Sequence, residues 1–280
     1  MSPSEIEIVN PHYARGPFRA AIFDFDGTLS LLRRNWQDVM IPMMVDELAA
    51  TGTPETRDDL RKAVEEFVMR LNGRQTIYQM IQLAEEIARR GGTPLDPLTY
   101  KRRYHDLLWR EVGARVEAVK TGAVPAEAMT VPGSRELLTY LRDRGVTLYL
   151  ASGTDLNYVE DELNTLGLAE FFGPHVYGAL DDYKKFSKAM VIARIIEETG
   201  VRGHELLGFG DGFVEIEEVK KVGGLAVGVA SNETTRQGIN AWKRERLIRA
   251  GADLIIGDYR QLDSLMAEIN LPPLARTGIA

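Results

Sequence analysis

Residues 20–23, Ala-Ala-Ile-Phe, form an unbroken apolar run that stops at Asp24. A strand covered on both faces shows no alternation, so this run predicts a buried parallel strand. From Trp36 to Val119 the texture changes. Four stretches there, about 36–50, 56–71, 76–90 and 97–119, repeat apolar residues at helical spacing, and no strand pattern appears. In the second, Leu60, Val64, Phe67, Val68 and Leu71 fall on one stripe. Loop signals at Gly52-Thr53-Pro54, Asn72-Gly73 and Gly91-Gly92-Thr93-Pro94 separate the four. Beyond Val131-Pro132-Gly133, helix and strand patterns alternate to the end of the chain. Helices are predicted at 134–144, 156–166, 187–198, 214–222, 241–250 and 261–269, with strands at 147–151, 175–177, 206–209, 225–229 and 254–256. Residues 5–9 alternate and predict an edge strand ended by Asn10-Pro11.

Strands alternating with helices of this length predict an α/β fold: a Rossmann-like, mostly parallel sheet with helices on both faces. The lone strand before Asp24 belongs to that sheet, so the helical stretch interrupts one α/β unit. The expected division is a discontinuous α/β core, residues 1–30 and 130–280, and a helical domain at 31–129.

Composition narrows the classes. With 280 residues, 44% hydrophobic and 27% charged, the chain has the make-up of an ordinary globular protein and the length for a core plus a smaller unit. No apolar run approaches the roughly 18 residues of a spanning helix, and residues 1–9 lack a signal-peptide core, so a cytoplasmic protein away from membranes is expected. There is no cysteine, which removes disulfides, thiolate zinc sites and thiol nucleophiles. A net charge of −7 argues against a nucleic-acid partner, whose binding depends on phosphate neutralisation by Lys and Arg. It does not argue against a small phosphate met by a local cation. The histidines, His12, His105, His175 and His204, are scattered and suggest no metal cluster.

The candidate chemistry begins at Asp24-Phe25-Asp26-Gly27-Thr28, which puts two carboxylates just past the carboxyl end of a predicted strand, where open α/β sheets bind ligands. Alone, this stretch reads equally well as an acidic turn capping a helix. Three later polar sites each bear on the choice: Ser152-Gly153-Thr154 after the run 147–151, Lys188 at the start of a helix, and Asp211 with Glu215 after the run 205–210. A lysine in the first turn opposes the helix dipole, so the helix itself gives no reason for Lys188. A solvated basic turn with Lys184 and Lys185 is the alternative.

The four sites together resemble the motifs of the haloacid dehalogenase-like hydrolase superfamily, over about residues 19–260. The resemblance implies that Asp24 is a nucleophile that becomes phosphorylated, and that Asp26 protonates the leaving oxygen and then activates water. It implies that Ser152, Gly153 and Lys188 bind the phosphate. It further implies a metal held by Asp24, Asp26 through its backbone carbonyl, Asp211 and Glu215, the last departing from the usual second aspartate. Hard oxygen ligands of this kind suit Mg²⁺. The helical stretch at 31–129 is similar to the family's cap, which covers the site. The implied activity is hydrolysis of a small phosphomonoester, a sugar phosphate or phosphoglycolate-like metabolite, by a phosphatase. A phosphomutase of the β-phosphoglucomutase type shares every motif, and a non-catalytic binding module is a weaker alternative. Arg33, Arg34 and Trp36, where the chain leaves the first motif, read as substrate contacts or as an exposed hinge. The charged stretch from Trp242 to Arg246 alternates in sign and predicts a solvated helix face.

Overall fold

The computed structural model describes residues 6–13, 15–180 and 182–271. The chain opens with β1 (Glu7–Ile8) and β2 (Ala20–Phe23), followed by α1 (Gln37–Ala49), α2 (Arg57–Arg70), α3 (Thr76–Arg89) and α4 (Pro97–Lys120). Helix and strand then alternate through α5 (Ser134–Arg142), β3 (Thr147–Asp155), α6 (Leu156–Thr165), α7 (Ala169–Phe172), β4 (Val176–Ala179) and α8 (Lys188–Thr199). The chain closes with β5 (Leu206–Gly210), α9 (Phe213–Lys221), β6 (Leu225–Val229), α10 (Ala241–Arg249), β7 (Leu254–Ile256) and α11 (Leu262–Glu268).

The strands form one seven-stranded sheet in the order β1-β7-β6-β5-β2-β3-β4. Only β1 runs antiparallel, against β7; the expected edge strand is thus present over Glu7–Ile8, while Glu5 lies outside the described residues. The four residues of β2 are at most 2% exposed, which explains the unbroken apolar run. Successive side chains of β2 still point to opposite faces. Ala21 and Phe23 join a hydrophobic cluster with Leu150 and Leu207, whereas Ala20 and Ile22 join a second cluster with Tyr149 and Ile192.

Three differences from the sequence pattern have local causes. Strand β3 continues to Asp155, past the change of polarity at Ser152, because its register with β4 shifts between Ala151 and Asp155. An irregularity of this kind re-aims side chains at the end of a strand. Helix α7 is a single turn, too short to show a period. The stripe of α2 buries Leu60, Val64, Phe67 and Val68, but Leu71 caps the helix and is half-buried.

Helices α1 to α4 pack on one another, α1 against α2, α3 and α4, and α3 against α4. Their entries are marked by sequence: the Thr56 hydroxyl accepts from the Asp59 N–H, and Asp96 accepts from the Leu98 N–H with Pro97 in the first turn. The cluster on one face of the sheet extends into these helices through Met44, Val64 and Tyr100.

The opposite end of the sheet from the predicted site is tied by Asp253, which precedes β7 with a fully buried side chain. Its oxygens accept from Asn10 Nδ2 at 2.7 Å, Lys220 Nζ at 2.7 Å and the Ala226 N–H at 2.9 Å. Removing one partner of a buried ion pair strands the other. Asp253→Ala is therefore expected to cost about 3 kcal/mol in urea unfolding, while per-molecule turnover of the folded variant stays at the wild-type level; a loss below about 1 kcal/mol would mean that the knot does not hold this edge.

Candidate active site

Phe23 pairs with Phe209 in register, so Asp24 and Asp211 leave adjacent parallel strands at their carboxyl ends. The Asp24 N–H extends the ladder by donating to Phe209 O at 2.9 Å. Asp24 is 7% exposed, and its Oδ1 accepts from the Phe25 N–H at 2.8 Å. Burial pushes its carboxyl well above the usual range, while Lys188 pulls it down. Gly27, at φ 73°, lets the chain turn back at once.

Asp26 stands apart from that environment. Its Oδ2 accepts from the Thr154 hydroxyl at 2.8 Å, and its Oδ1 is buried with no hydrogen-bond partner, the Arg33 guanidinium lying 4.0 Å away. Burial raises its pKa to about 7, with Arg33 opposing and Glu162 adding to the rise. Ser152, 1% exposed, accepts from the Thr154 N–H at 3.1 Å, which leaves its hydroxyl proton for another acceptor. Gly153 is required by close approach: a Cβ there would sit 2.9 Å from Arg74 O, in the turn between α2 and α3.

Lys188, the first residue of α8, is 4% exposed; Lys184 and Lys185 lie outside the site, the latter exposed beside Asp182 at 3.2 Å. The helix entry is fixed by Ser187, whose hydroxyl accepts from the Met190 N–H at 3.2 Å. Lys188 Nζ lies 3.0 Å from Asp24 Oδ1 and 2.7 Å from Glu215 Oε2. Burial alone would lower its pKa, but the two carboxylates raise it, so it stays charged. Glu215 sits in the first turn of α9 and also accepts from the Gly212 N–H at 2.6 Å through Oε1.

The expected solvated face of α10 is corrected by the structure. Lys243 turns inward and is 5% exposed, four residues before the buried Leu247 and therefore on the same helix face. Its Nζ contacts Asp211 Oδ2 at 2.8 Å, Glu233 Oε1 at 2.6 Å and Ser231 Oγ at 3.1 Å. Sign alternation concealed it; the spacing to Leu247 was the available signal. Ser231 follows the apolar run 225–230, the same signal that marked Ser152, whereas Glu233 follows no run or motif that would single it out.

Oxygens of Asp24, Asp211 and Glu215 lie within 4.8 Å of one another. The Asp26 side chain is outside this cluster, and none of the histidines belongs to it; His105 stacks on Tyr158 at 3.8 Å. An all-oxygen anionic donor set suits a hard divalent cation. A Cβ at Gly27 would collide with the Asp211 carboxylate and one at Gly210 with the Glu215 side chain, so the backbone closes round the acids as tightly as glycine permits. The residues present fit a divalent cation.

Above the acids lies a cleft floored by Asp24, Ser152 and Lys188 and walled by Arg33, Trp36, Met40, Arg74 and Tyr104. Arg33 is buried rather than an exposed hinge: its Nε and Nη2 grip Glu162 of α6 at 2.9 and 2.6 Å, and it lies over the Tyr158 ring. Arg34 is half-buried and does not line the cleft.

The profile of the haloacid dehalogenase-like hydrolases matches residues 18–223, most of the chain, and the protein belongs to that family. It is thus a hydrolase of a class that generally uses a divalent metal. Similar solved structures include a haloacid dehalogenase-like protein of unknown function from Agrobacterium tumefaciens, at 20% identity and TM-score 0.57, covering 90% of this chain and 99% of that one. A predicted phosphoglycolate phosphatase from Haemophilus somnus aligns at 15% identity and TM-score 0.57, covering 89% and 98%. A β-phosphoglucomutase from Clostridium difficile aligns at 16% identity and TM-score 0.59, covering 90% and 97%. These likenesses establish the fold. No curated protein matches the chain.

Asp26 supplies a pH signature. Its folded pKa of about 7 exceeds the 3.8 of an unperturbed aspartate, so the wild type loses stability as pH rises between those values. Asp26→Asn removes that loss and is expected to raise Tm at pH 8 by a few degrees, about 1 kcal/mol, with the gain shrinking toward pH 4. Thermal melts at both pH values would show it; an equal gain at both would exclude burial of a charged Asp26 as the cause.

Proposed function

We propose that this protein hydrolyses a small-molecule phosphomonoester with Mg²⁺ as cofactor, through an aspartyl-phosphate formed on Asp24. The observation that carries the proposal is the difference in partners of two neighbouring carboxylates: Asp24 faces the Lys188 ammonium at 3.0 Å, whereas Asp26 accepts from the Thr154 hydroxyl at 2.8 Å through Oδ2 and has no hydrogen-bond partner at Oδ1. An ammonium beside one carboxyl and only a neutral hydroxyl hydrogen-bonded to the other lets the pair divide the work of nucleophile and acid.

In the first step an Asp24 oxygen attacks phosphorus, the P–O bond to the leaving alcohol breaks, and Asp26 gives that oxygen its proton. Thr154 holds Asp26 by Oδ2, and Oδ1 has no hydrogen-bond partner of its own. In the second step Asp26, now ionised, takes a proton from water, whose oxygen attacks the phosphorus and releases phosphate and free Asp24. Lys188, the Ser152 hydroxyl and the Gly153 N–H bind the phosphoryl oxygens and stabilise the charge that develops there. Asp24, Asp211 and Glu215 would hold the ion, with the Asp26 carbonyl completing the set by family resemblance; bound, it would offset the carboxylate–phosphate repulsion and favour ionised Asp24.

The same proposal makes residues 31–129 a helical cap over a core of 1–30 and 130–280. Supporting it, Gln75 at the head of α3 donates to Tyr183 O at 3.0 Å and Phe186 O at 2.7 Å, just before Lys188. The cleft lies between the acids and the helical layer, walled by Arg33, Trp36, Arg74 and Tyr104, which suits a sugar phosphate or phosphoglycolate-like substrate. Among the described residues no helix is long and apolar enough to cross a membrane.

A panel of phosphomonoesters assayed with Mg²⁺ in ¹⁸O-water tests the function. Label should enter the released phosphate at catalytic rates, and EDTA should abolish release until Mg²⁺ is restored. Conversion of a sugar monophosphate to an isomer with little labelled phosphate would replace the phosphatase with a mutase; hydrolysis that ignores EDTA would sink the metal assignment. Asp24→Asn should end turnover on every substrate. Asp26→Asn should slow alkyl phosphates by about 10²–10⁴-fold and an activated aryl phosphate far less, because acid catalysis matters most for a basic leaving oxygen; equal losses would take the acid role from Asp26.

A further inference from the structure

The acids of the site are served by two buried ammonium groups, and the family motifs account for only one. Lys188 pairs with Asp24 and Glu215. Lys243 pairs with Asp211 and Glu233 from the other side, through a different helix. Like Lys188, it lies in the first turn of its helix, where a cation opposes the dipole and the helix alone offers no reason for it. Its position is fixed: the Asn240 side chain caps the helix by accepting from the Lys243 N–H at 3.0 Å, and Ser231, which accepts from Nζ, donates to Gly27 O at 2.5 Å in the first motif. Lys243 does not line the cleft, whereas Asp211 and Glu233 do. It therefore acts on the acids rather than on a substrate.

We propose that Lys243 is an internal counter-ion of the metal pocket, a positioning residue that holds Asp211 and Glu233 together when no divalent ion is bound and keeps the affinity for that ion low. The inference rests on the metal assignment made above. Without Lys243, Asp211 and Glu233 would be largely buried carboxylates with no cation between them. With it, an incoming divalent ion meets a positive charge already seated on one of its own ligands. Two effects of the lysine then compete. An outer partner that orients a ligand raises metal affinity by about 10–100-fold. Repulsion of a doubly charged ion by a fixed ammonium a few ångström away, in a site of low dielectric, is the larger effect and has the opposite sign. Lys243 thus favours a site that remains folded when empty and exchanges its metal readily.

The test is Mn²⁺ and Mg²⁺ binding to metal-stripped protein by calorimetry, with no substrate and no turnover involved. Lys243→Met should bind at least tenfold tighter than wild type, its metal-free form should melt lower, and saturating metal should raise its Tm by more than it raises the wild type's. Glu233→Gln, which removes negative charge and leaves the ammonium, should shift affinity the other way, to several-fold weaker binding. A merely structural lysine would not give opposite signs in the two variants. Unchanged or weaker binding by Lys243→Met overturns the proposal. If that variant is not recovered without metal, Lys243→Gln, which loses the charge but keeps a donor for Ser231, carries the same expectation and the same refutation. Failure of the wild type to bind either ion would refute the metal assignment itself, a result distinct from wild-type binding that the variants leave unmoved.

Discussion

The constraint on which this structure depends is the crowding of negative charge at the carboxyl end of two adjacent parallel strands. Asp24, Asp211 and Glu215 bring oxygens within 4.8 Å of one another where little water reaches. Carboxylates at such separations raise one another's pKa or require cations between them. Lys188 meets that requirement on one flank, between Asp24 and Glu215. Lys243 meets it on the other, between Asp211 and Glu233. Both lysines enter from first turns of helices beside the sheet, so positioning those helices is what makes the acidic centre foldable.

Sheet order follows from the same requirement. With β2 between β5 and β3, the nucleophile candidate, the metal-ligand candidate and the Ser152 hydroxyl emerge side by side. The register shift between Ala151 and Asp155 accompanies the run-on of β3, from which the Thr154 hydroxyl reaches Asp26. Gly27, Gly153 and Gly210 mark places in the site where an approaching carboxylate or backbone leaves no room for a Cβ.

The helical layer is joined to this centre by polar contacts as well as by apolar packing. Arg33 and Glu162 form a buried pair whose desolvation offsets much of its Coulombic gain, so its chief effect is to set geometry. That pair fixes the electrostatic surroundings of Asp26, since Arg33 and Glu162 act on its pKa in opposite directions. Gln75 binds the two carbonyls just ahead of Lys188, and Arg74 covers Gly153. Movement of the helical layer would therefore be felt at the phosphate-binding candidates directly.

The sequence by itself determined the fold class and most elements, because the apolar run of β2 and the helical stripe of α2 are set by burial that any packed arrangement must respect. It also placed Asp24, Asp26, Ser152, Lys188 and Asp211 at element ends, where a change from apolar to polar residues is visible along the chain. What only the tertiary structure decided were pairings across long sequence separations: Thr154 with Asp26, Glu162 with Arg33, and Lys243 with Asp211. Lys243 shows the reason most clearly. Its neighbours Arg244 and Glu245 give it the look of a solvent-facing residue, and only its phase with Leu247 turns it inward, toward acids supplied by the turn after β5 and by the loop after β6. A charged side chain reads as exposed until the opposite charge that neutralises it is known, and that partner is fixed by how the strands and helices assemble.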